Sequence, residues 1–366
     1  MCPDTAHSPF LTRRKRLLAL MEKRSIPFMV VTHLVNVRYL TGFTGSAGIL
    51  LIGPQDGVLW VDPRYTLQAG EQAEGIEVIE ERNGILKGAA RWLRQNGVRV
   101  AGFEAANLTC AQFEALRQEA GPALGLHPVQ DLVEELRLVK DRSEIAAIRA
   151  ACVLTAQVFE ALLPQVRPGV MERDLGAEIE YQMRKRGAEG AAFETIVVSG
   201  VRSAYPHARP SSNALQQSEL VIFDLGAILH GYNADMTRTI YLGEPTRRVQ
   251  NLYAAVLEAQ ERAIRAVRAG TSAGEVDRVA RRALANHRVA RFFTHSTGHG
   301  VGLEIHERPR LGKGEKHRLR SGSVVTVEPG VYLEGFGGIR IEDTVVVGAD
   351  GSEVLTPAAK DRWVIS

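Results

Sequence analysis

Short apolar runs alternate with amphipathic segments along the first third of the chain. Residues 28–31 and 48–52 are continuous apolar runs typical of buried strands, whereas residues 91–95 and 111–116 repeat apolar side chains at helical spacing. Residues 13–21 mix arginine and lysine with leucine, and this pattern predicts an amphipathic helix because the apolar run is too short for a secretory signal. Alternating strands and helices favour an α/β domain.

The pattern changes beyond a charged stretch that starts at residue 131. A helix is predicted from Ser143, as its N-cap, toward Leu163, where Pro164 stops it, and a second helix is predicted from Glu172 to Arg186. Afterwards β-type runs predominate, at residues 193–199, 220–229, 234–242, 324–327 and 339–347, with helices at 249–267 and 274–285 between them.

This order predicts two domains of different class. We expect a smaller α/β N-terminal domain over residues 1–131 and an α+β domain over residues 132–366, in which helices cover one face of a curved, largely antiparallel sheet. A chain of 366 residues, 45% hydrophobic and 24% charged, is long enough for both.

Composition excludes several partners. Lys+Arg total 45 against 42 Asp+Glu, without long runs of one sign, so nothing indicates nucleic-acid binding. No apolar stretch approaches the ~20 residues needed to span a bilayer. Three scattered cysteines, Cys2, Cys110 and Cys152, are too few for a disulfide framework and indicate a reducing compartment. The expectation is a cytoplasmic protein without a membrane partner.

Two aspartates lie in apolar strand-like runs. Asp224 follows Val221-Ile222-Phe223, and Asp235 begins the next run after Gly231. Burying a lone ionised carboxylate costs several kcal/mol without compensation. A hairpin centred between Leu229 and His230 would place the two acids opposite each other, where their repulsion calls for a cation.

Further candidate ligands lie toward the C-terminus. Glu328 ends the apolar run 324–327, and Arg340 and Glu342 are two apart, so we expect them on one face of one strand. The glycine-broken segment with His295, His299 and His306 cannot form a regular helix. Four carboxylates and one imidazole suit Mn²⁺, Co²⁺ or Zn²⁺, and four negative charges match two divalent ions better than one. Such a pair can activate a bridging water to hydrolyse an amide.

At these residues the chain resembles the prolidase, aminopeptidase P and methionine aminopeptidase superfamily with the pita-bread fold. The resemblance covers residues 137–356 and rests on the motifs at 223–227, 235–239, 297–302, 328–330 and 340–343. It implies two divalent ions, with Mn²⁺ as the first expectation, bound by Asp224, Asp235, His299, Glu328 and Glu342. It also implies that Glu328 takes a proton from the bridging water.

The same resemblance implies further catalytic residues. Residues 199–208 resemble the family's segment with a proton-shuttling histidine, here His207, although Tyr205 stands where relatives mostly carry leucine or a polar residue. His207 and His306 are expected to flank the metals and act on the substrate, and His295 and Arg340 complete the predicted catalytic set. Each residue alone is weak evidence; their joint order and context make the prediction specific.

Residues 38–48 have glycines three apart but lack the Lys-Ser/Thr ending of a phosphate loop. They resemble the start of the creatinase-type N-terminal domain of prolidases and aminopeptidase P, and residues 42–46 look like the short bacterial aminopeptidase P group. The leading expectation is therefore an Xaa-Pro aminopeptidase acting on peptides with proline at the second position, and the alternative is an Xaa-Pro dipeptidase (prolidase).

A creatinase and a non-peptidase pita-bread binding protein are disfavoured because no ligand position is lost. The resemblance further implies a homodimer in which the region around residues 38–46 closes the other chain's active site.

Overall fold

A computed structural model describes residues 8–365, and contacts divide the chain into two compact units, Met1–Arg137 and Leu138–Ser366. The domain limits predicted at residues 131 and 132 stay a prediction. Cys2 lies outside the described residues, and Cys110 and Cys152 are free thiols, the first exposed and the second buried. Each unit has a hydrophobic core of its own.

The first unit is an α/β layer around a mixed sheet, as the sequence predicts. Its described strands are ordered β4-β3-β2-β1-β5-β6, with β1 parallel to β5 and antiparallel to β2. They are β1 (Met29–Val31), β2 (Gly48–Gly53), β3 (Asp56–Val61), β4 (Glu77–Glu80), β5 (Val100–Glu104) and β6 (Gly125–Val129). The helices are α1 (Pro9–Lys23), α2 (Leu34–Thr41), α3 (Thr66–Gln72), α4 (Ile85–Gln95), α5 (Cys110–Ala120) and α6 (Leu132–Arg137).

Burial explains the positions of these elements. Strands β1 and β2 are buried along their whole length, because they are apolar on both faces. Helix α4 packs Ala89, Ala90 and Leu93 into the same core. The amphipathic helix predicted near the N-terminus is confirmed as α1, whose buried Arg14 donates to the carbonyl oxygens of Leu40, Glu74 and Gly75.

The second unit combines two pairs of long helices with small antiparallel sheets. Its helices are α7 (Arg142–Leu162), α8 (Glu172–Lys185), α9 (Arg247–Ala266) and α10 (Ala273–Asn286). Its strands are β7 (Gly190–Ala191), β8 (Ile196–Ser199), β9 (Leu220–Leu225), β10 (Ala227–Leu229), β11 (Tyr232–Asn233), β12 (Met236–Leu242), β13 (Gly298–Gly300), β14 (Glu307–Leu311), β15 (Val324–Val327), β16 (Gly330–Leu333), β17 (Gly337–Arg340), β18 (Asp343–Val347), β19 (Ser352–Val354) and β20 (Val364–Ile365).

Two sheets of this unit position most of the candidate site residues. The first, ordered β20-β12-β9-β8, packs against α7 and α8. The second, ordered β14-β13-β15-β18-β19, shares a core with α9 and α10. Every pairing in them is antiparallel except β12 with β20. The predicted α+β class is confirmed.

Helix α7 begins earlier than predicted. Its N-cap is Asp141, not Ser143, because Asp141 Oδ1 accepts from the backbone N–H of both Ser143 and Glu144, and Glu144 accepts in return from Asp141 N. This capping box satisfies more orphan donors than a serine cap. By length and composition alone, the stretch Arg142–Gln165 could cross a membrane; several of its apolar side chains, including Ile148 and Phe159, are buried in the cores.

The hairpin with the two aspartates has a different register from the predicted one. Thr237 lies opposite Asp224, and Ile228 opposite Asn233, so the turn is centred between His230 and Gly231. Both turn residues have positive φ, 52° and 78°, which a two-residue hairpin turn of this type requires. Asp235 is therefore offset from Asp224 along the ladder rather than directly across from it.

The run 339–347 is two strands rather than one. β17 pairs with β16 and β18 with β15, and the chain changes sheets at Ile341 and Glu342. The prediction that Arg340 and Glu342 share a face of one strand was wrong, because Glu342 lies in the connection.

Candidate metal centre and active site

All nine predicted site residues line one cavity of about 720 Å³ in the second unit. The loop before β9 contributes His207, β9 contributes Asp224, and Asp235 precedes β12. The second sheet and its neighbouring loops supply His295, His299, His306, Glu328 and Glu342, and β17 supplies Arg340. Residues from separate parts of the sequence therefore converge on one cavity.

The metal-ligand candidates lie within coordination reach of one another. His299 Nε2 is 3.5 Å from Asp235 Oδ2 and 3.5 Å from Glu328 Oε1. Potential ligand atoms of Asp235, His299 and Glu342 all lie within 4.8 Å of one another. Carboxylate oxygens and an imidazole nitrogen at this spacing fit a divalent cation.

His299 is oriented for such a role by its own backbone. Its Nδ1 lies 3.0 Å from the carbonyl oxygen of Gly300, to which it donates, so Nε2 keeps a free lone pair toward the acids. The glycines on either side of His299 have no Cβ, so β13 can approach the neighbouring backbone closely. A Cβ at Gly298 would lie 2.0 Å from Thr326 O, and one at Gly300 would lie 2.3 Å from Arg308 O.

The neighbouring carboxylates destabilise one another's ionised form. Burial, followed by the charges of neighbouring carboxylates, holds the pKa of Asp235 and Glu342 well above their usual range. Burial also raises the pKa of Glu328 to about 7, although Arg340 opposes the shift. A cation among them reverses this penalty, because it favours the ionised form of each ligand.

Two carboxylate oxygens provide an independent test of whether these residues fit divalent metal ions. Asp224 Oδ1 and Glu342 Oε1 are buried and have no hydrogen-bond partner among residues 8–365. Leaving a buried charged acceptor unsatisfied costs about 1–3 kcal/mol or more. Both oxygens belong to the predicted ligand set, so the donor set fits divalent metal ions.

A chain of hydrogen bonds through Tyr332 connects three side chains that line the cavity: Asp224, Arg340 and His295. Arg340 donates from Nη2 to Asp224 Oδ2 at 2.6 Å and from Nη1 to Tyr332 Oη at 2.7 Å, and Tyr332 Oη lies 2.8 Å from His295 Nε2. His295 Nδ1 is 2.8 Å from Ser296 O, so both ring nitrogens are engaged. Burial lowers the pKa of His295 to about 4, which keeps the ring neutral at neutral pH.

Sequence reasoning missed two residues that hydrogen-bond to the cavity-lining side chains, Tyr332 and Thr237. Thr237 Oγ1 donates to Glu342 Oε2 at 2.7 Å and accepts from Arg340 Nε at 3.0 Å. Thr237 lies two residues after Asp235 on β12, so strand alternation was the available signal. No such signal marked Tyr332, because its contact with Arg340 depends on the pairing of β16 with β17.

The mouth of the cavity is lined by groups that meet water. His207 and His306 are exposed, and the ring of His306 lies 4.4 Å from that of His299. Burial, then the neighbouring His299 and His207, lowers the pKa of His306. Arg310, on β14, also lines the cavity, and no motif in the sequence pointed to it.

Fold and site together define a metal-dependent hydrolase. The model of Metallopeptidase family M24 matches residues 146–349, and the Creatinase/Prolidase N-terminal domain matches residues 13–139. The chain belongs to metallopeptidase family M24, and the predicted kinship with prolidases and aminopeptidase P is confirmed.

Individual relatives cover nearly the whole chain. The Xaa-Pro dipeptidase of Pyrococcus horikoshii is 35% identical, over 95% of this chain and 97% of its own length. The solved Xaa-Pro dipeptidase from Bacillus anthracis is 37% identical with a TM-score of 0.94, covering 97% and 100%. The X-Pro aminopeptidase from Thermotoga maritima is 35% identical with a TM-score of 0.90, covering 96% and 100%. These neighbours confirm the pita-bread fold with an N-terminal domain.

Proposed function

We propose that the protein is an Xaa-Pro dipeptidase, which hydrolyses the bond before proline in dipeptides. The observation that carries this proposal is Arg310. Its exposed side chain lines the cavity, and no residue within 8–365 forms a hydrogen bond or ion pair with it. A free proline carboxylate needs such a cation.

Arg340, which belongs to the predicted catalytic set and also lines the cavity, is already engaged. Its guanidinium donates to Thr237, Tyr332, Asp224 and, at 3.3 Å, to Pro206 O. Its charge is balanced by the acidic cluster, and its side chain is only 4% exposed. We therefore assign Arg340 to holding Asp224 and Tyr332, with His295 supported through that tyrosine.

The remaining roles are assigned from position. When bound, divalent ions supply a lowered water pKa and polarisation of the scissile carbonyl. Glu328, which metal binding keeps ionised, takes the proton of the attacking water. The leaving nitrogen before proline belongs to a tertiary amide and must be protonated. His207 and His306, at the cavity mouth, deliver that proton or hold the carbonyl oxygen as charge develops on it.

The Xaa-Pro aminopeptidase expected from the sequence becomes the second candidate. It is supported by the likeness to the solved X-Pro aminopeptidase of Thermotoga maritima, which has a TM-score of 0.90. The two activities differ in the group on the C-terminal side of proline: a free carboxylate, or another residue that must fit past Arg310.

Hydrolysis of Ala-Pro, Ala-Pro-Ala and Ala-Pro-amide side by side, in Mn²⁺, separates the candidates. A dipeptidase prefers Ala-Pro, and Arg310→Leu lowers its kcat/KM for Ala-Pro about 10- to 100-fold while leaving Ala-Pro-amide nearly unchanged. Arg310→Lys keeps the charge and serves as the matched control. Equal or faster cleavage of Ala-Pro-Ala, unaffected by Arg310→Leu, would favour the aminopeptidase.

We also propose Mn²⁺ as the working metal, a cytoplasmic location and a homodimer in which residues around 38–46 close the other chain's site. Reconstitution with Mn²⁺, Co²⁺ or Zn²⁺ tests the first point. Sedimentation at assay concentration tests the dimer, and a fully active monomer would overturn it.

A further inference from the structure

Two charged residues of the ligand motifs lie outside the cavity. Arg238 follows Thr237 on β12, and Asp343 follows Glu342 at the start of β18. Neither lines the cavity, and their exposure is 2% and 0%. Because successive strand residues point to opposite faces, Arg238 points away from the face on which Thr237 donates to Glu342. Asp343 directly follows Glu342 in the chain.

Arg238 donates hydrogen bonds from every nitrogen of its guanidinium group. Its Nη2 donates to Asp343 Oδ1 at 2.7 Å, and its Nη1 donates to the carbonyl oxygen of Glu342 at 2.6 Å. The remaining N–H groups reach the carbonyl oxygens of Thr237, Ala358 and Ala359. One side chain thus joins β12, the backbone of a candidate metal ligand and the segment after β19.

Lys360 completes the arrangement from the far end of the chain. Its Nζ lies 2.8 Å from Asp343 Oδ2, an oxygen that also accepts from Gln260 at 2.8 Å. The segment around Lys360 is fixed independently, since Tyr253 Oη donates to Lys360 O at 2.7 Å and the Tyr253 ring stacks on Trp363. Both Asp343 oxygens are therefore occupied by donors.

The location of this network explains what it can do. β12 belongs to the sheet that carries Asp224, and β18 belongs to the sheet that carries His299. Glu342 sits in the connection that enters β18, where its backbone N donates to Thr237 O at 3.1 Å. A small shift between the sheets would separate the ligands, whose side chains repel one another.

We propose that Arg238, Asp343 and Lys360 form a positioning clasp that holds Glu342 in register with Asp224 and Asp235 for metal binding. The inference rests on the metal-dependent function proposed above. Two positive charges and one negative charge give the clasp a net charge of +1 behind the acidic cluster. Partners that orient metal ligands from behind typically change metal affinity by about 10- to 100-fold when they are removed.

Lys360 is the member to change first, because its side chain is 24% exposed and its loss leaves Arg238 in place. Metal-free Lys360→Met is titrated with Mn²⁺ by calorimetry, without substrate, and its kcat and KM for Ala-Pro are measured at low and saturating Mn²⁺. The expected result is Mn²⁺ affinity weakened about 10- to 100-fold, with kcat lost at low metal and regained at saturation. Lys360→Arg should have an Mn²⁺ affinity within about threefold of wild type, because arginine keeps a positive charge beside Asp343.

Two controls separate positioning from general stability. Lys185→Met removes an exposed lysine at the end of α8, and Leu284→Ala lowers stability through the core behind α10. Both should bind Mn²⁺ as wild type does. Wild-type affinity in Lys360→Met, or an equal loss in Leu284→Ala, would overturn the clasp. A wild-type protein that binds Mn²⁺ but cleaves no Xaa-Pro substrate would overturn the proposed function and leave the clasp intact.

Discussion

Each of the two units buries a glutamate, and the two environments differ in one decisive respect. Glu104, in the first unit, accepts hydrogen bonds at both oxygens: Oε2 from the backbone N–H of Thr32 and His33, each at 2.6 Å, and Oε1 from Asn36 at 2.7 Å. Glu342, in the second unit, receives one from Thr237, and its other oxygen is unpaired among the described residues.

These surroundings distinguish a structural acid, Glu104, from one that we propose binds metal, Glu342. Burial is the largest cause that raises the pKa of both glutamates. At Glu104, hydrogen bonds from three groups oppose the shift and one acid, Glu134, adds to it; at Glu342, three acids add to the shift and only the bond from Thr237 opposes it. A carboxylate with its own donors needs nothing from solution. One that faces other acids with a free oxygen needs a cation.

The greatest loss is expected from neutralising the functional acids. Asp235→Asn and Glu342→Gln should each lower metal content and reduce kcat/KM by at least about 10³-fold, equivalent to roughly 4 kcal/mol of activation. The metal-free variants should unfold at or above the temperature of metal-free wild type, because repulsion is removed. Metal analysis, steady-state kinetics and calorimetry check this. Wild-type rates in either variant would place the site elsewhere.

The next effect concerns the histidines at the cavity mouth, which differ from both glutamates in being open to water. His207→Ala and His306→Ala should lower kcat about 10²- to 10⁴-fold while metal content stays near wild type. The contrast with the ligand variants is the control. Metal loss in His207→Ala would instead make it a ligand or a support for one.

The pH dependence of metal-free stability tests the functional acids in a second way. The pKa of Glu328 is about 7 in the metal-free fold against 4.5 ordinarily, so its contribution to stability is present below about pH 4.5 and lost as pH rises through 7. Metal binding needs the ionised acids, so the stabilisation by Mn²⁺ should grow over the same range.

Thermal unfolding at pH 5.5 to 8, with and without Mn²⁺, measures that growth as a gap widening by several degrees. His295, whose pKa is lowered to about 4, titrates in the opposite sense, but it is present in both samples and largely cancels in the difference. A gap independent of pH would mean that the acids are already ionised without metal.

Catalysis should change least when the structural acid is altered. Glu104→Gln should cost about 1–3 kcal/mol of unfolding free energy, since an amide N–H₂ replaces an acceptor facing backbone donors. Metal content and kcat per folded molecule should stay unchanged. A loss of bound metal in Glu104→Gln would erase the distinction between the two glutamates.

The sequence was sufficient for most elements and for the ligand candidates, because those signals are local. Apolar runs predicted β1, β2 and β15 closely, and acids inside such runs pointed to Asp224 and Glu328. The remaining ligand candidates were predicted from the order of motifs along the chain, since that order matched a known family.

The features that the sequence did not reveal depend on contacts between distant residues. The turn at His230 and Gly231 shifted the register of the hairpin, because the left-handed conformation of His230 is not evident from its type. Tyr332 lies on β16, Arg310 on β14 and Lys360 between β19 and β20, and these parts of the chain come together only in the folded protein. No local spacing announces such partners.

The separation of these partners also bears on how the protein folds. Arg340 and Asp224 are 116 residues apart in sequence, and Thr237 and Glu342 are 105 apart, so each contact that joins the two ligand groups closes a long loop. Such contacts form late, because loop-closure entropy must be met before they contribute. A chain still emerging from the ribosome with its first 300 residues has Asp224, Asp235 and His299 but not Glu328 or Glu342. With the ligand set proposed above, hydrolytic competence arises only once synthesis has passed residue 342.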